Sequence, residues 1–285
     1  MSDRWAQWFT ERRHGGDERT RVAIVHDNEA IRDWVLERAA IEAGDVVLDI
    51  GCGDGLIALE ALRHVGDDGA VIFDDISEEL LDRCRAVAGD DARCRFLNAS
   101  VTELPLADNS VDVVTGRAVL IYVAEKQRAF DELHRVLRPG GRLSLYEPLN
   151  SFGYPEGSDT FWGFPVGDLE PLTEKVRDVW RSIDLPEYAS MHDWSERDLL
   201  GWVKQAGFSR VRYDATFVVT PSAPVEDFDA RIRRAGNPLV PSIEEAIEQA
   251  LTPEEAETLL AWFRPRMEAG GGLQYEAEGY LTAVK

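Results

Sequence analysis

The sequence is poor in cysteine, in lysine and in long apolar runs. Its three cysteines, at positions 52, 84 and 94 of 285 residues, are an odd set that argues against a disulfide scaffold and favours a reducing compartment. No histidine pairs with a cysteine at metal-ligand spacing, so we expect no metal site. No window is apolar enough to span a membrane, and residues 1–28 lack the pattern of a cleaved signal peptide. The sequence therefore predicts a cytoplasmic protein that needs no membrane.

Basic residues are strongly outnumbered by acidic ones. The chain has 31 Lys and Arg against 53 Asp and Glu, a formal net charge of −22, and lysine occurs only at positions 126, 175, 204 and 285. Such a chain repels a phosphate backbone, whose contacts with Lys and Arg supply most non-specific nucleic-acid affinity. We therefore expect a small-molecule substrate and no nucleic-acid partner, and leave homo-oligomerisation open.

Strand-like and helix-like patterns alternate from about residue 45 onwards. The strand-like runs are 46–50, 70–74, 94–97, 111–114 and 142–146, and the helical patterns are 55–65, 77–88 and 125–137. A further helix at 195–206 precedes two long strand-like runs, 208–219 and 276–284, which are long enough to pair as an antiparallel edge. Strands alternating with helices predict right-handed crossovers and a parallel, doubly wound α/β sheet.

Three regions interrupt this alternation. The last of them contains two capping-box helix starts, Ser242 with Glu245 and Thr252 with Glu255. Because open α/β sheets bind ligands beyond the carboxyl ends of their strands, the three regions are candidates for a lid. The predicted organisation is a helical lead-in or lid at 1–40, a core at 41–148, a cap insertion at 149–194, a core helix and strand at 195–220, a helical insertion at 221–275 and a final core strand at 276–285.

Three alternate glycines follow the first strand, in the stretch VVLDIGCGDG: Gly51, Gly53 and Gly55. Glycines in a strand-to-helix turn let the backbone approach a ligand closely, and an acidic residue after the next strand, here Asp74 or Asp75, can bind a ribose diol. The pattern departs from a dinucleotide fingerprint because Leu56 occupies the later slot, and Asp54 places negative charge where a pyrophosphate would lie. A nucleoside ligand without phosphates fits better.

Four motifs in order extend this pattern: VLDIGCGDG, VIFDDISEELLDRCR, LPLADNSVDVV and AFDELHRVLRPGGRL. With them the chain resembles the class I S-adenosylmethionine-dependent methyltransferases, in the subgroup of the ubiquinone and menaquinone biosynthesis C-methyltransferases. The motifs cover roughly residues 31–147, and LLGWVKQAGFSRV matches a later helix and strand. The resemblance implies a Rossmann-like, doubly wound, seven-stranded sheet with an antiparallel C-terminal edge and helical or aromatic cap insertions. It also implies S-adenosyl-L-methionine as cofactor and S-adenosyl-L-homocysteine as product.

The resemblance further implies a set of cofactor-binding residues. Asp49 would receive the ammonium of the methionine part, and Asp75 would take both ribose hydroxyls, with Asp74 as the neighbour most easily confused with it. Ser100 stands where the subgroup usually has an aspartate, so its hydrogen bond to adenine would be weaker. The full set is Asp49, Gly51, Gly53, Asp75, Ile76, Ser100, Val101, Arg117 and Ala118.

Four residues are candidates for the acceptor side of the site. Tyr122 and Glu147 lie just beyond the fourth and fifth strands, so both are expected at the carboxyl edge of the sheet. A phenol can orient an acceptor, and a partly buried carboxylate can take its proton or stabilise positive charge. The equally weighted alternative is that Tyr122 packs in the following helix and Glu147 ties down the EPLN turn. His26 and His192 are further candidates because they lie in the lead-in and the cap insertion.

The methyl acceptor is expected to be a small organic molecule. TGRAVL after the fourth strand differs from the Asn-Pro-Pro-Tyr type of motif that marks methylation of nucleobase amines and amides, and all three cysteines lie in the nucleotide-binding half, which argues against arsenite. Aromatic residues after the fifth strand predict either a pocket or the cap's own core: Phe152, Tyr154, Phe161, Trp162 and Phe164. Two alternatives to methyl transfer are an NAD(P)-dependent oxidoreductase and a non-catalytic protein that binds the cofactor.

Overall fold

The computed structural model describes residues 3–285, which form two compact units. We call residues 24–149, 193–216 and 278–285 the sheet unit, and residues 3–23, 150–192 and 217–277 the helical unit. The predicted cap insertion and helical insertion contribute most of the helical unit. No helix within residues 3–285 is both long and apolar enough to cross a membrane.

The sheet has seven strands in the order β3-β2-β1-β4-β5-β9-β8. Its bounds are β1 Val46–Ile50, β2 Ala70–Asp74, β3 Cys94–Leu97, β4 Val111–Arg117, β5 Leu137–Pro148, β8 Ser209–Pro221 and β9 Leu273–Val284. Strands β1 to β5 pair in parallel, and β9 pairs antiparallel with β5. At the edge, Ser209 at the start of β8 donates its hydroxyl to the carbonyl of Val284 at the end of β9. The predicted doubly wound sheet with an antiparallel C-terminal edge is confirmed.

The register divides the side chains of the sheet between two faces. On one face, Asp49 pairs laterally with Thr115, and Arg117 pairs with Tyr146, which in turn pairs with Tyr280. This face packs in one apolar cluster on the helices Glu18–Ala39, Ala58–Ala61 and Glu78–Ala88. The opposite face carries Ile50, Asp74 and Glu147, because successive residues of a strand alternate between faces. Both faces end at the carboxyl edge of the parallel strands.

The helices of the sheet unit follow the predicted pattern, with one shorter than expected. They are α2 Glu18–Ala39, which enters the unit at Ile24, α3 Ala58–Ala61, α4 Glu78–Ala88, α5 Lys126–Val136 and α8 Glu196–Gln205. Ser77 caps α4 as predicted by accepting from the amide of Leu80. The helix expected over 55–65 is regular only in α3, because hydrogen bonds of the tighter i to i−3 kind join Arg63 to Glu60 and His64 to Ala61.

The helical unit has its own apolar core, built from short elements. These are α1 Arg4–Gln7, a π-helix at Trp8–Arg12, the hairpin β6 Thr160–Phe161 and β7 Phe164–Pro165, α6 Glu170–Arg181, α7 Pro186–Ala189, α9 Phe228–Arg233, α10 Ile243–Ala250 and α11 Pro253–Ala269. Both predicted capping boxes are present, at the starts of α10 and α11. Phe161 and Phe164 are buried against Phe263 of α11, so these two aromatic residues belong to the unit's core.

Candidate active site

The glycine turn after β1 has a backbone that only glycine adopts easily. Gly51, Gly53 and Gly55 have φ values of 53°, 58° and 87°. A Cβ atom at Gly51 would lie 2.5 Å from Cγ2 of Val119, so the turn also leaves no room for a side chain there. The amide of Gly53 donates to the carboxylate of Asp75 at 2.9 Å. The turn is thereby tied to the acidic residue that follows β2.

Asp49 is the penultimate residue of β1 and is 1% exposed. The hydroxyl of Thr115 on β4 donates to its Oδ1 at 2.8 Å. Burial raises the pKa of the Asp49 carboxyl to about 7, although the hydrogen bonds from Thr115 and from the amide of Ala58 and the nearby Arg117 lower it. Because burial makes the ionised form costly, a cationic group bound beside Asp49 would stabilise its carboxylate.

Asp74 and Asp75 are both buried but differ in their hydrogen bonds. The two oxygens of Asp75 accept from the amides of Gly53 and Ser77, at 2.9 and 2.8 Å. Oδ1 of Asp74 has no hydrogen-bond partner within residues 3–285, and burial followed by the charges of Asp75 and Asp49 raises its pKa well above the usual range. Asp75 is therefore held by two backbone amides, whereas Asp74 has an oxygen that no hydrogen bond within residues 3–285 satisfies.

The residues expected around adenine lie next to this pair. The side chain of Ile76 is 55% exposed although it is apolar, whereas that of Val101 is buried. The hydroxyl of Ser100 lies 2.8 Å from that of Thr102 and accepts from the Thr102 amide, so it is already engaged within its own turn. Ile76 is therefore the residue of this group that offers an open apolar surface.

Arg117 is the last residue of β4, and Ala118 follows it. Ala118 has a φ of 53° and donates its amide to the carbonyl of Tyr146 at 2.7 Å. Over residues 3–285 the Arg117 guanidinium has neither a hydrogen-bond acceptor nor a carboxylate within ion-pair distance, although the side chain is partly buried. Burial lowers its pKa, opposed by Tyr122, Tyr146 and the more distant acidic groups. Arg117 is therefore a cation near the glycine turn whose donors are available.

Glu147 at the end of β5 holds the turn that carries Tyr122. Its Oε1 accepts from the amides of Val119 and Leu120 at 3.0 and 2.9 Å, and its Oε2 accepts from Ile121 at 3.1 Å. The side chain is 1% exposed, and burial raises its pKa to about 7 against the effect of these three amides. Glu147 therefore fixes a turn, but it is the turn of residues 119–121 and not the EPLN turn of the sequence-based alternative.

Lys126 is a residue that sequence reasoning missed. It opens α5, is buried, and donates from Nζ to the carbonyl of Val123 at 3.1 Å, with the rings of Trp194 and Trp202 5.6 and 5.8 Å away. Burial lowers the pKa of its ammonium to about 8, while Asp193 and Glu147 act in the opposite direction. The signal was present, because a helix N-terminus favours acidic residues and a lysine there is unusual in so lysine-poor a chain.

The other predicted catalytic residues have different surroundings. Tyr122 ends the short 3₁₀ helix Leu120–Tyr122. Its phenol interacts electrostatically with Arg117 and raises the pKa of that guanidinium. His26 is exposed on α2. His192 belongs to the helical unit, where its ring stacks at 4.1 Å on Tyr154 and lies 5.2 Å from Tyr188. Glu147 is linked to the element that carries Tyr122, because it accepts from the amides of Leu120 and Ile121 in the same 3₁₀ helix.

The cysteines are packing residues in the sheet unit. Cys84 donates to the carbonyl of Gly53 at 3.3 Å, and all three thiols are free. A hydrogen bond with Cys84, then burial, raises the pKa of Cys52 well above the usual range. Within residues 3–285 no three His, Cys, Asp or Glu side chains are grouped so as to hold a metal ion.

Comparison with known proteins agrees with this geometry. Residues 48–145 match the family model of the methyltransferase domain. The chain is 34% identical to the ubiquinone/menaquinone biosynthesis C-methyltransferase UbiE of Azotobacter vinelandii, over 63% of this chain and 72% of that one. It is 32% identical to the demethylmenaquinone methyltransferase of Clavibacter sepedonicus, over 69% and 79%. An arsenite methyltransferase of Halobacterium salinarum is 40% identical over 120 residues, but the chain spans only 31% of that protein's length.

Solved structures share the fold at low sequence identity. The YcgJ protein of Bacillus subtilis has a TM-score of 0.56 at 16% identity, covering 91% of this chain and 99% of that one. A methyltransferase-like protein of Bacillus halodurans has a TM-score of 0.54 at 16% identity, covering 90% and 99%. Neither the oxidoreductase nor the non-catalytic alternative is supported by these similarities. The chain belongs to the class I S-adenosylmethionine-dependent methyltransferases of the UbiE type, and S-adenosyl-L-methionine is its cofactor.

Proposed function

We propose that this methyltransferase acts on a small organic acceptor and holds its cofactor along the carboxyl ends of β1, β2 and β4. The observation that carries the proposal is the bond from the Gly53 amide to Asp75, because it joins the glycine turn and the acidic residue after β2 in one site. The pattern suits a nucleoside whose ribose meets an acid and whose remaining atoms approach the glycine backbone.

The adenosine part is assigned to the residues after β2. Asp75 accepts one backbone amide on each oxygen, and its carboxylate is assigned to the two ribose hydroxyls. The exposed side chain of Ile76 supplies an apolar surface for adenine. The backbone of Val101 is assigned to the ring edge, and Ser100 contributes less, because its hydroxyl is engaged with Thr102.

The amino-acid part is assigned to two groups of opposite charge. Burial raises the pKa of Asp49 to about 7 and lowers that of Arg117, and neither group forms an ion pair within residues 3–285. A zwitterionic methionine group supplies an ammonium for Asp49 and a carboxylate for Arg117, which relieves both costs of burial. Gly51 and Gly53 let their backbone approach this group, and Ala118 continues the wall beside Arg117.

The chain's own part in the reaction is alignment. When bound, S-adenosyl-L-methionine supplies a methyl group on an electrophilic sulfonium. The protein then has to orient the acceptor and exclude water, and proximity alone is worth several kcal/mol. Tyr122 is the proposed orienting group, and Glu147 and Lys126 fix the two ends of its turn. A proton acceptor is required only where the methylated atom carries a proton to lose.

The acceptor class is proposed as organic rather than metalloid. A metalloid acceptor needs accessible thiolates, whereas Cys52 and Cys84 are buried and the pKa of Cys52 is raised. The printed names of the UbiE relatives place quinone-type molecules among the acceptors to be tried. The acidic charge argues against a nucleic-acid partner, and the free cysteines fit a cytoplasmic enzyme.

Calorimetric titration tests the cofactor site, and a turnover screen tests the acceptor. We expect S-adenosylhomocysteine to bind and NADH not to bind, since the turn lacks a place for a pyrophosphate. Labelled cofactor incubated with matched phenol, amine and quinol acceptors then identifies the methylated atom. Binding of NADH alone would overturn the assignment, and transfer to arsenite with no transfer to any organic acceptor would overturn the acceptor class.

A further inference from the structure

Arg231 on α9 is a cation without a counter-charge in a strongly acidic chain. Within residues 3–285 no carboxylate lies within ion-pair distance of its guanidinium, and no acceptor is hydrogen-bonded to it, although the side chain is partly buried. The guanidinium nitrogens of Arg231 keep contact with solvent, whereas Nη2 of Arg177 is fully buried without a hydrogen-bond partner within residues 3–285. The donors of Arg231 are therefore both unused and reachable.

The surroundings of Arg231 make this lack of a partner notable. Burial lowers the pKa of its guanidinium to about 10, and the other charge acting on it, Arg234, lowers it further. Elsewhere in the helical unit, Arg264 pairs with Asp229 and Arg177 pairs with Glu174. In a chain with 53 acidic residues, a partly buried arginine flanked by a second arginine is a local positive site that costs stability in the free protein.

Trp162 supports the guanidinium from one side. The distance from Cζ of Arg231 to the centroid of the Trp162 ring is 4.7 Å. A guanidinium over an aromatic face keeps the N–H groups of its edge available, in the fork geometry that matches a carboxylate. The aromatic contact orients the cation without neutralising its charge.

The backbone of Trp162 is itself held in an uncommon conformation. Trp162 and Gly163 are the two turn residues between β6 and β7, with φ values of 52° and 78°. A bulky residue at positive φ is strained, and such strain persists where the surroundings enforce it. Here the carboxylate of Glu156 accepts from the amides of both turn residues. The helical unit thus fixes the Trp162 backbone at some cost, beside an arginine that has no partner.

We propose that Arg231, backed by Trp162, binds the carboxylate of a small organic acid. The anion site is defined within the helical unit and does not depend on the proposed function.

The site is tested with sodium benzoate as the probe, in the full chain and without cofactor. Thermal unfolding is compared in benzoate, in sodium chloride of equal ionic strength and in the uncharged analogue benzamide. At about ten times the dissociation constant we expect benzoate to raise Tm by roughly 2–4 °C, because a ligand of the native state stabilises it by mass action. Benzamide and chloride should give no comparable shift. An equal shift with benzamide would overturn the proposal.

Variants assign the effect to the residue. Arg231→Met should abolish the benzoate shift and raise Tm without ligand, because it removes a cation that has no partner. Arg233→Met, an exposed position on the same helix, should keep the benzoate shift of the wild type. If Arg231→Met does not fold, Arg231→Lys keeps the charge without the planar fork and should reduce the shift. An unchanged benzoate shift in either Arg231 variant would overturn the proposal.

One further measurement separates this inference from the proposed function. Titration with S-adenosylhomocysteine should give the wild-type affinity in Arg231→Met. Failure of the wild type to bind S-adenosylhomocysteine would contradict the proposed function and leave the anion site standing.

Discussion

The hydroxyl of Thr115 on β4 donates a hydrogen bond to the carboxylate of Asp49 on β1, at 2.8 Å. The two residues are direct lateral neighbours in the sheet, so the donor is supplied by the register. The carboxyl is 1% exposed, and its burial outweighs the hydrogen bonds from Thr115 and from the Ala58 amide, so the pKa of Asp49 is raised to about 7. Stability is therefore expected to depend on pH through Asp49.

The free energy of unfolding should fall less in Asp49→Asn than in the wild type when the pH rises from mildly acidic to mildly alkaline. Because the folded-state pKa of about 7 exceeds the ordinary value of 3.8, the native state binds more protons in between, and stability falls as pH rises through that window. Removing the titrating group should reduce this fall by roughly 2–3 kcal/mol between about pH 5 and about pH 8. Urea unfolding at both pH values measures it, with Asp54→Asn, an exposed change in the same turn, as the control. An equal change in the free energy of unfolding with pH in the wild type, Asp49→Asn and Asp54→Asn would show that folding does not shift the pKa of Asp49.

Asp75→Ala should weaken binding of S-adenosylhomocysteine by roughly 1–3 kcal/mol, as for the loss of charge-assisted hydrogen bonds. It also leaves the amides of Gly53 and Ser77 without their acceptor, so some loss of stability is expected in addition. Titration calorimetry on variants shown by circular dichroism to be folded gives the affinity. Asp74→Ala is the matched comparison. Unchanged affinity in Asp75→Ala with a large loss in Asp74→Ala would move the ribose role to Asp74.

Glu147→Gln should lower both stability and turnover while the affinity for S-adenosylhomocysteine stays near that of the wild type. One oxygen becomes an amide donor that faces backbone N–H groups, so at least one of the three bonds from residues 119–121 is lost, at about 1–3 kcal/mol. Urea unfolding and initial rates measure the two effects. Glu278→Gln, exposed on the neighbouring strand, is the control. Wild-type rates across pH in Glu147→Gln would remove this residue from the mechanism.

Lys126→Met should flatten the rise of stability with alkaline pH. Burial lowers the pKa of Lys126 to about 8, below the ordinary 10.5, so the unfolded state binds more protons between these values and stability rises with pH there. Without the ammonium, that contribution disappears. Urea unfolding between about pH 7.5 and about pH 10 tests this, with Lys204→Met as the exposed control. If the free energy of unfolding rose as steeply with pH in Lys126→Met as in the control, a group other than Lys126 would be responsible for the rise.

Local sequence signals predicted the elements well where neighbours along the chain decide the structure. The ends of β1, β2 and β3 agree with the predicted runs, and Ser77 caps α4 as expected. β4 is three residues longer than its apolar run, because Thr115, Gly116 and Arg117 gain partners on β5. Glycine has a low strand preference, yet β4 continues through Gly116 because the next strand offers hydrogen bonds, and a single sequence does not show that pairing.

The sequence by itself determined the alternation of strands and helices, the glycine turn and the identity of the acidic positions after β1 and β2. These follow from side-chain period, capping and backbone freedom, all of which act over a few residues. Only the tertiary structure decided that Glu147 binds the amides of residues 119–121, that Lys126 is buried near two tryptophans, and that Arg117 and Arg231 form no ion pair within the described residues. Burial and the pairing of charges depend on segments that are distant in the sequence, and those segments meet only when the chain has folded.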